Sequence, residues 1–206
     1  MLKEERPARR RAGFSRGHAG SWHGAAGGFS LIELMVAVTV AAVLLAIAIP
    51  AFSSMMARNQ LAAASNDLRG ALMSARQAAV MQGRPVSLCA GTPETGCSGD
   101  WSRGEWLVFH DADHDGDLGA DEKLVRHGQA VGGGGAVVID GNGPLRTALV
   151  YVPLGHAERV SGAFGAGRLR VCVPRDISPN ANELVISISG RVRRQSLDFD
   201  GECPAL

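Results

Sequence analysis

The residues best suited to chemistry in this chain are the carboxylates of Asp111-Ala-Asp-His-Asp-Gly-Asp-Leu-Gly-Ala-Asp-Glu122. Acids at positions one, three and five, glycine at six and glutamate at twelve match the oxygen-ligand pattern of a calcium loop. Calcium is the candidate cofactor, with Asp111, Asp113, Asp115 and Glu122 as its ligands. The flanks differ from a helix–loop–helix site. A strand pattern over Trp106–Phe109 precedes the loop and another over Lys123–His127 follows it, so the segment reads as a calcium loop within a hairpin or as an acidic solvated turn. Without metal, six carboxylates in twelve residues are expected to repel one another and leave the loop mobile.

A second constellation is cationic. Ser189-Gly190 is a turn signal between two strand patterns, Glu183–Ile188 and Arg191–Leu197. Alternation sets Arg191 and Arg193 on one strand face and Val192 and Arg194 on the other, with Arg168 and Arg170 able to extend a basic stripe. Guanidinium groups suit phosphate, and such contacts make binding salt-sensitive and independent of base sequence. No aromatic residues interleave, so stacking on single strands is not supported. The alternative is a solvated strand whose arginines protect a sheet edge.

Four cysteines, Cys89, Cys97, Cys172 and Cys203, lack Cys-x-x-Cys spacing, which argues against zinc and for disulfides. Three pairings are available. Cys89–Cys97, clamping a glycine-containing excursion, and Cys172–Cys203, tying the tail to a strand, are favoured. For catalysis the sequence offers little. Neither His-Glu-x-x-His nor Gly-x-Ser-x-Gly occurs, and Gly132–Gly135 lacks the Lys-Ser/Thr of a phosphate-binding loop.

The element that must position these groups begins upstream. From Leu34 to Phe52 no residue is ionisable, and about 20 apolar residues at ~1.5 Å each span a bilayer core. Lys3, Arg6, Arg9, Arg10, Arg11 and Arg16 precede that run, against Glu4 and Glu5 alone. Retained positive charge orients the span so that everything after Phe52 lies on the far side. A cleaved secretory signal is the rival reading, since small residues follow Ile49. Glu33, at the edge of the apolar run, is costly there unless paired.

Gly27-Gly28-Phe29-Ser-Leu-Ile-Glu33 after a basic segment resembles the N-terminus of a type IV prepilin. The resemblance implies cleavage after Gly28 by prepilin peptidase, N-methylation of the freed Phe29 amine, and neutralisation of that amine by Glu33 of a neighbouring subunit, which sets filament register. Further on, Ser87-Leu-Cys-Ala, Cys97-Ser-Gly-Asp-Trp, Glu105-Trp-Leu-Val-Phe-His-Asp-Ala-Asp and Glu183-Leu-Val-Ile-Ser-Ile-Ser-Gly-Arg-Val-Arg-Arg are similar to the FimT/GspH group of minor pilins and minor pseudopilins. That likeness implies an inner-membrane, single-pass subunit with a periplasmic head. It would assemble with other pilins or pseudopilins into a type IV pilus or a type II secretion pseudopilus, supporting pilus biogenesis or protein secretion. It also implies an alternative, DNA uptake, because Gly190-Arg191-Val192-Arg193, followed by Arg194, matches the Gly-Arg-x-Arg motif of DNA-binding members.

Beyond the apolar run, Pro50 is expected to kink the helix. Leu61, Ser65, Leu68, Leu72, Ala75 and Ala79 then form one mostly apolar stripe, with Arg58, Arg69 and Arg76 outside it, until Gly83 and Pro85 end the helix. Strands are expected at Val86–Ala90, Glu105–His110, Lys123–His127, Ala136–Asp140, Thr147–Val152, Arg168–Val173, Glu183–Ser189 and Arg191–Leu197. The fold class is therefore α+β: a pilin-like long N-terminal helix, membrane-spanning in its first half, packed on antiparallel β-sheets. The expected organisation is a cleaved leader (1–28), a membrane or filament-core helix (29–52), its amphipathic continuation (53–84) and a β-rich head (85–206). Chain length suits one span and one head. Of 21 basic and 20 acidic residues, six and two lie in the leader, leaving a net charge of −3, so no global basic charge argues for nucleic acid.

Overall fold

The computed structural model describes residues 28–132 and 135–206; residues 1–27, which make up the expected leader apart from Gly28, and Gly133 and Gly134 of the glycine run lie outside the described residues. The chain divides into two compact units, 1–44 and 45–206. A single α-helix, α1 (Leu31–Gln82), begins in the first and ends in the second.

In the first unit, Ser30 starts α1. Its Oγ accepts the backbone N–H of Glu33 at 3.2 Å, satisfying one of the donors that a helix start leaves free. Every described side chain here is exposed, although the most apolar 18 residues of α1 reach a mean hydropathy of 2.7. Length and composition make this helix able to cross a membrane.

In the second unit α1 continues through Pro50, where the missing N–H leads one to expect a kink. The Ser53 and Ser54 hydroxyls donate to the carbonyls of Pro50 and Ala51, each at 2.9 Å. From Ala57 onward one face is buried: Leu61, Ala64, Ser65, Leu68, Ala71, Leu72, Ala75 and Ala79 recur at three- and four-residue steps. Alanine dominates this face, and its side chains share one buried core with residues of both sheets.

Two antiparallel sheets receive it. The first runs β4 (Leu124–Gln129), β3 (Glu105–His110), β1 (Val86–Thr92), β6 (Ala148–Tyr151) and β7 (Ala157–Arg159), with the two-residue β2 (Gly96–Cys97) paired to the end of β1. The second runs β10 (Val192–Leu197), β9 (Ala181–Ile186), β8 (Gly167–Cys172) and β5 (Val138–Gly141). Leu88 stands between Val108 and Leu149 in register, and all three pack with the helix leucines in one core that also takes Leu169, Leu184 and Ile186 from the second sheet. Each fully buried leucine is worth roughly 1.5–3 kcal/mol. A smaller cluster of Cys89, Leu107, Phe109 and Ala148 fills the opposite face of the first sheet, covered by Leu118 and Val160. Both faces of β3 are thus occupied, which explains its unbroken apolar run of Trp106–Phe109.

Candidate functional site

Three sets of residues could act on something outside the chain. At the N-terminus, Gly28 and Phe29 precede the helix and are exposed, Phe29 at 83%. Glu33, in the first turn of α1, is exposed and, among the described residues, has no ion-pair partner. An acid in that turn is favoured by the helix dipole, a local reason for its presence beside any assembly role. Ser30 was missed as a cap, although Ser30-Leu-Ile-Glu33 is the sequence signature of one.

At the other end of the chain β10 is the outer strand of the second sheet; Arg193 and Arg194 are exposed on it, and Arg191 is exposed immediately before its first residue. Among the described residues none of the three forms an ion pair. Gly190 differs: it is buried, with φ +73°, and an added Cβ would collide with the Gly155 carbonyl and meet Tyr151 Cε1 at 3.1 Å. The motif glycine therefore shapes a turn instead of offering a surface. Arg76 crosses this place from the helix, its Nε donating to Gly155 O at 2.9 Å and its Nη2 to Ser189 O at 3.2 Å. It joins two hairpin tips to α1, a role that its position outside the apolar stripe did not announce. Beneath it the Tyr151 hydroxyl is buried without a hydrogen-bond partner, and burial drives its pKa far above the usual phenol range, with Arg76 opposing.

Arg168 and Arg170 do not extend a free basic stripe. Arg170 is held by the buried Glu183 at 2.9 Å, lies over the Phe199 ring at 4.8 Å and donates to Pro204 O at 2.8 Å. Arg168 pairs with the other Glu183 oxygen at 3.5 Å. Arg170 thereby holds the C-terminal tail, which the Cys172–Cys203 disulfide fastens to β8. The second disulfide, Cys89–Cys97, closes the excursion between β1 and β2.

The acidic loop leaves β3 at Asp111, which has no solvent exposure. Asp111 Oδ2 accepts from the Ser87 hydroxyl and from Gly116 N–H at 3.1 Å. Gly116, at φ +79°, sits where a Cβ would come within 2.6 Å of Val160. Carboxylate oxygens of Asp111, Asp113 and Asp115 lie within 4.8 Å of one another. Glu122, expected beside them as a fourth ligand, instead closes the loop: Oε1 accepts from Ala112 N–H at 2.6 Å and Oε2 from Gly119 N–H at 3.0 Å. Backbone donors likewise meet Asp115 (Asp117 N–H, 2.8 Å) and Asp117 (Cys97 N–H, 2.9 Å), offsetting the repulsion expected among these acids. Next to the loop, burial lowers the His110 pKa, helped by Arg84 and Lys123 and opposed by Glu122.

Comparison with known proteins bears on these features. Residues 64–190 match the family model for Type II transport protein GspH, and residues 25–49 match the prokaryotic N-terminal methylation motif. No curated protein matches the sequence significantly. Among solved structures, the type IV minor pilin FimU of Pseudomonas aeruginosa is similar at 19% identity, over 71% of this chain and 94% of that one, with a TM-score of 0.48. The minor pseudopilin EpsH from the Type 2 Secretion System of Vibrio cholerae is similar at 10% identity, over 65% and 93%, with a TM-score of 0.43. The methylation motif spans Gly28, Phe29 and Glu33, and the family match covers most of the buried helix stripe and both sheets up to Gly190. The chain belongs to the GspH family of type IV prepilin-like minor pilins and pseudopilins, whose members are structural filament subunits and not enzymes.

Proposed function

We propose that the chain enters the inner membrane through residues 29–52 with residues 85–206 as a periplasmic head, and that residues 53–84 carry the helix into that head. Prepilin peptidase removes residues 1–28 after Gly28, the Phe29 amine is methylated, and the mature chain joins other pilins or pseudopilins in a type IV pilus or type II secretion pseudopilus. The observation that carries this reading is Glu33. It is the one ionisable residue between Phe29 and Phe52, it is exposed, and among the described residues it has no cation partner. An unpaired carboxylate beside hydrocarbon is costly, and the α-amine of a neighbouring Phe29 is a cation that processing alone creates. Mass spectrometry of the protein from its host should show N-methylated Phe29 at the mature terminus. Glu33→Leu should remain membrane-bound yet drop out of purified filaments; another N-terminus, or full incorporation of that variant, refutes the reading.

A second reading, DNA capture during uptake, is favoured by the exposed and unpaired Arg193 and Arg194 on the outer strand and Arg191 just before it. Here DNA phosphates would be held without regard to sequence. In a gel shift the protein should retard DNA at low salt and release it as salt rises, and the Arg191→Gln, Arg193→Gln double variant should bind at least tenfold more weakly. Equal binding by the two proteins ends this reading.

A further inference from the structure

We propose that the loop following β3 binds one calcium ion through the carboxylates of Asp111, Asp113 and Asp115, with Glu122 acting as the clasp that shapes the loop. Two independent observations carry this. The first is spacing: oxygens from the three aspartates lie within 4.8 Å of one another. Calcium–oxygen bonds run about 2.3–2.6 Å, so oxygens on opposite sides of one ion stand roughly 4.6–5.2 Å apart. The triplet is therefore already at the separation that a single ion spans.

The second is an unmet polar atom. Asp111 is wholly buried; its Oδ2 takes Ser87 Oγ–H and Gly116 N–H, while Oδ1 is out of solvent and without a partner. A buried acceptor left without a donor costs free energy, most of all on a carboxylate. A cation supplies what the backbone does not, and this carboxylate belongs to the triplet itself. Asp113 and Asp115 are exposed, so the ion has a route in and waters can complete its coordination. The donor set is oxygen alone, which suits a hard cation and not zinc.

Glu122 has a different task. Both of its oxygens are engaged by backbone N–H groups of Ala112 and Gly119. With three carboxylates and open access, affinity falls in the weak range of extracellular calcium modules, about 10⁻⁴–10⁻³ M. The ion would also brace neighbouring structure, because Asp117 holds the Cys97 amide at 2.9 Å and Leu118 covers the cluster around Cys89, Leu107 and Phe109.

The test uses the full chain in detergent, freed of metal with chelator. Titration with calcium chloride in a calorimeter should give saturable heat in that affinity range, and about 10 mM calcium should raise Tm by about 3–10 °C over chelator. Magnesium, which demands tighter octahedral geometry, should raise it less. The Asp113→Asn, Asp115→Asn double variant should keep the Tm of the unaltered protein in chelator, since Asn retains an acceptor oxygen, and should lose both heat and shift. Glu122→Gln should lower Tm in chelator yet still bind calcium within about tenfold. Absence of heat and shift in the unaltered protein overturns the proposal, as does an undiminished response in the double variant, and loss of binding in Glu122→Gln overturns the division of roles.

Discussion

Gly190 and Arg191 are neighbours in one short motif, yet the structure gives them unrelated physical tasks. Gly190 is buried in a left-handed conformation against the Gly155 carbonyl, whereas the Arg191 side chain projects into solvent. Gly190→Ala combines backbone strain with a backbone collision, and should cost about 2–3 kcal/mol. Thermal unfolding should show a Tm lower by roughly 4–12 °C. Arg191→Gln removes only an exposed charge and should leave Tm within about 2 °C. Residue patterns made the acidic loop and the arginine strand visible from sequence. They could not separate these roles, because Gly190 is defined by a carbonyl 35 positions earlier in the chain. Glu122 fills position twelve of the pattern, but residue spacing does not show that its oxygens are met by Ala112 and Gly119 N–H in the loop backbone.

At the level of elements, periodicity carried most of the reading. The apolar stripe of α1 announced itself at three- and four-residue steps, and β3 matched its expected bounds of Glu105–His110. The short β7 and the 3-10 turn at Gly143–Arg146 were missed, being too brief for any period to show. β9 begins at Ala181, earlier than expected, because Asn180 and Asn182 look like turn residues and are in fact buried. Asn180 donates to Glu202 O at 2.9 Å and Asn182 to Ser65 Oγ at 3.0 Å, the latter across 117 residues. No local window contains such a partner. The tail, in turn, has no strand of its own beyond β10 and relies on Asn180, Arg170 and the Cys172–Cys203 bond. Closing 31 residues of chain contributes about 3–4 kcal/mol, and the eight-residue Cys89–Cys97 closure about 2–3. Serine at both Cys172 and Cys203 should thus lower Tm by more than serine at both Cys89 and Cys97, as read by calorimetry.

For the whole molecule, an apolar helix and a polar head pull toward different solvents. The described residues of the first unit are all exposed, among them Leu31, Ile32, Val36 and Leu44, an area that water alone does not tolerate. In fractionated cells the protein should sediment with membranes through washes in high salt or alkali and enter solution only with detergent; release by salt would show that charge, not apolar burial, holds it. The net charge of −3 over residues 29–206 sets a further constraint: any phosphate polymer must be held by a local patch against an unfavourable overall field.

The buried face of α1 has a mechanical consequence. From Ala57 to Ala79 it runs for roughly 33 Å at ~1.5 Å per residue, lying in one continuous core with strands of both sheets. Tension applied along the rod is then shared by all those contacts at once, as sliding, instead of opening them one after another like a zipper. Arg76, gripping two hairpin tips near the stripe's far end, acts as a stop against that slide. A head built this way can be dragged by its stem without coming apart.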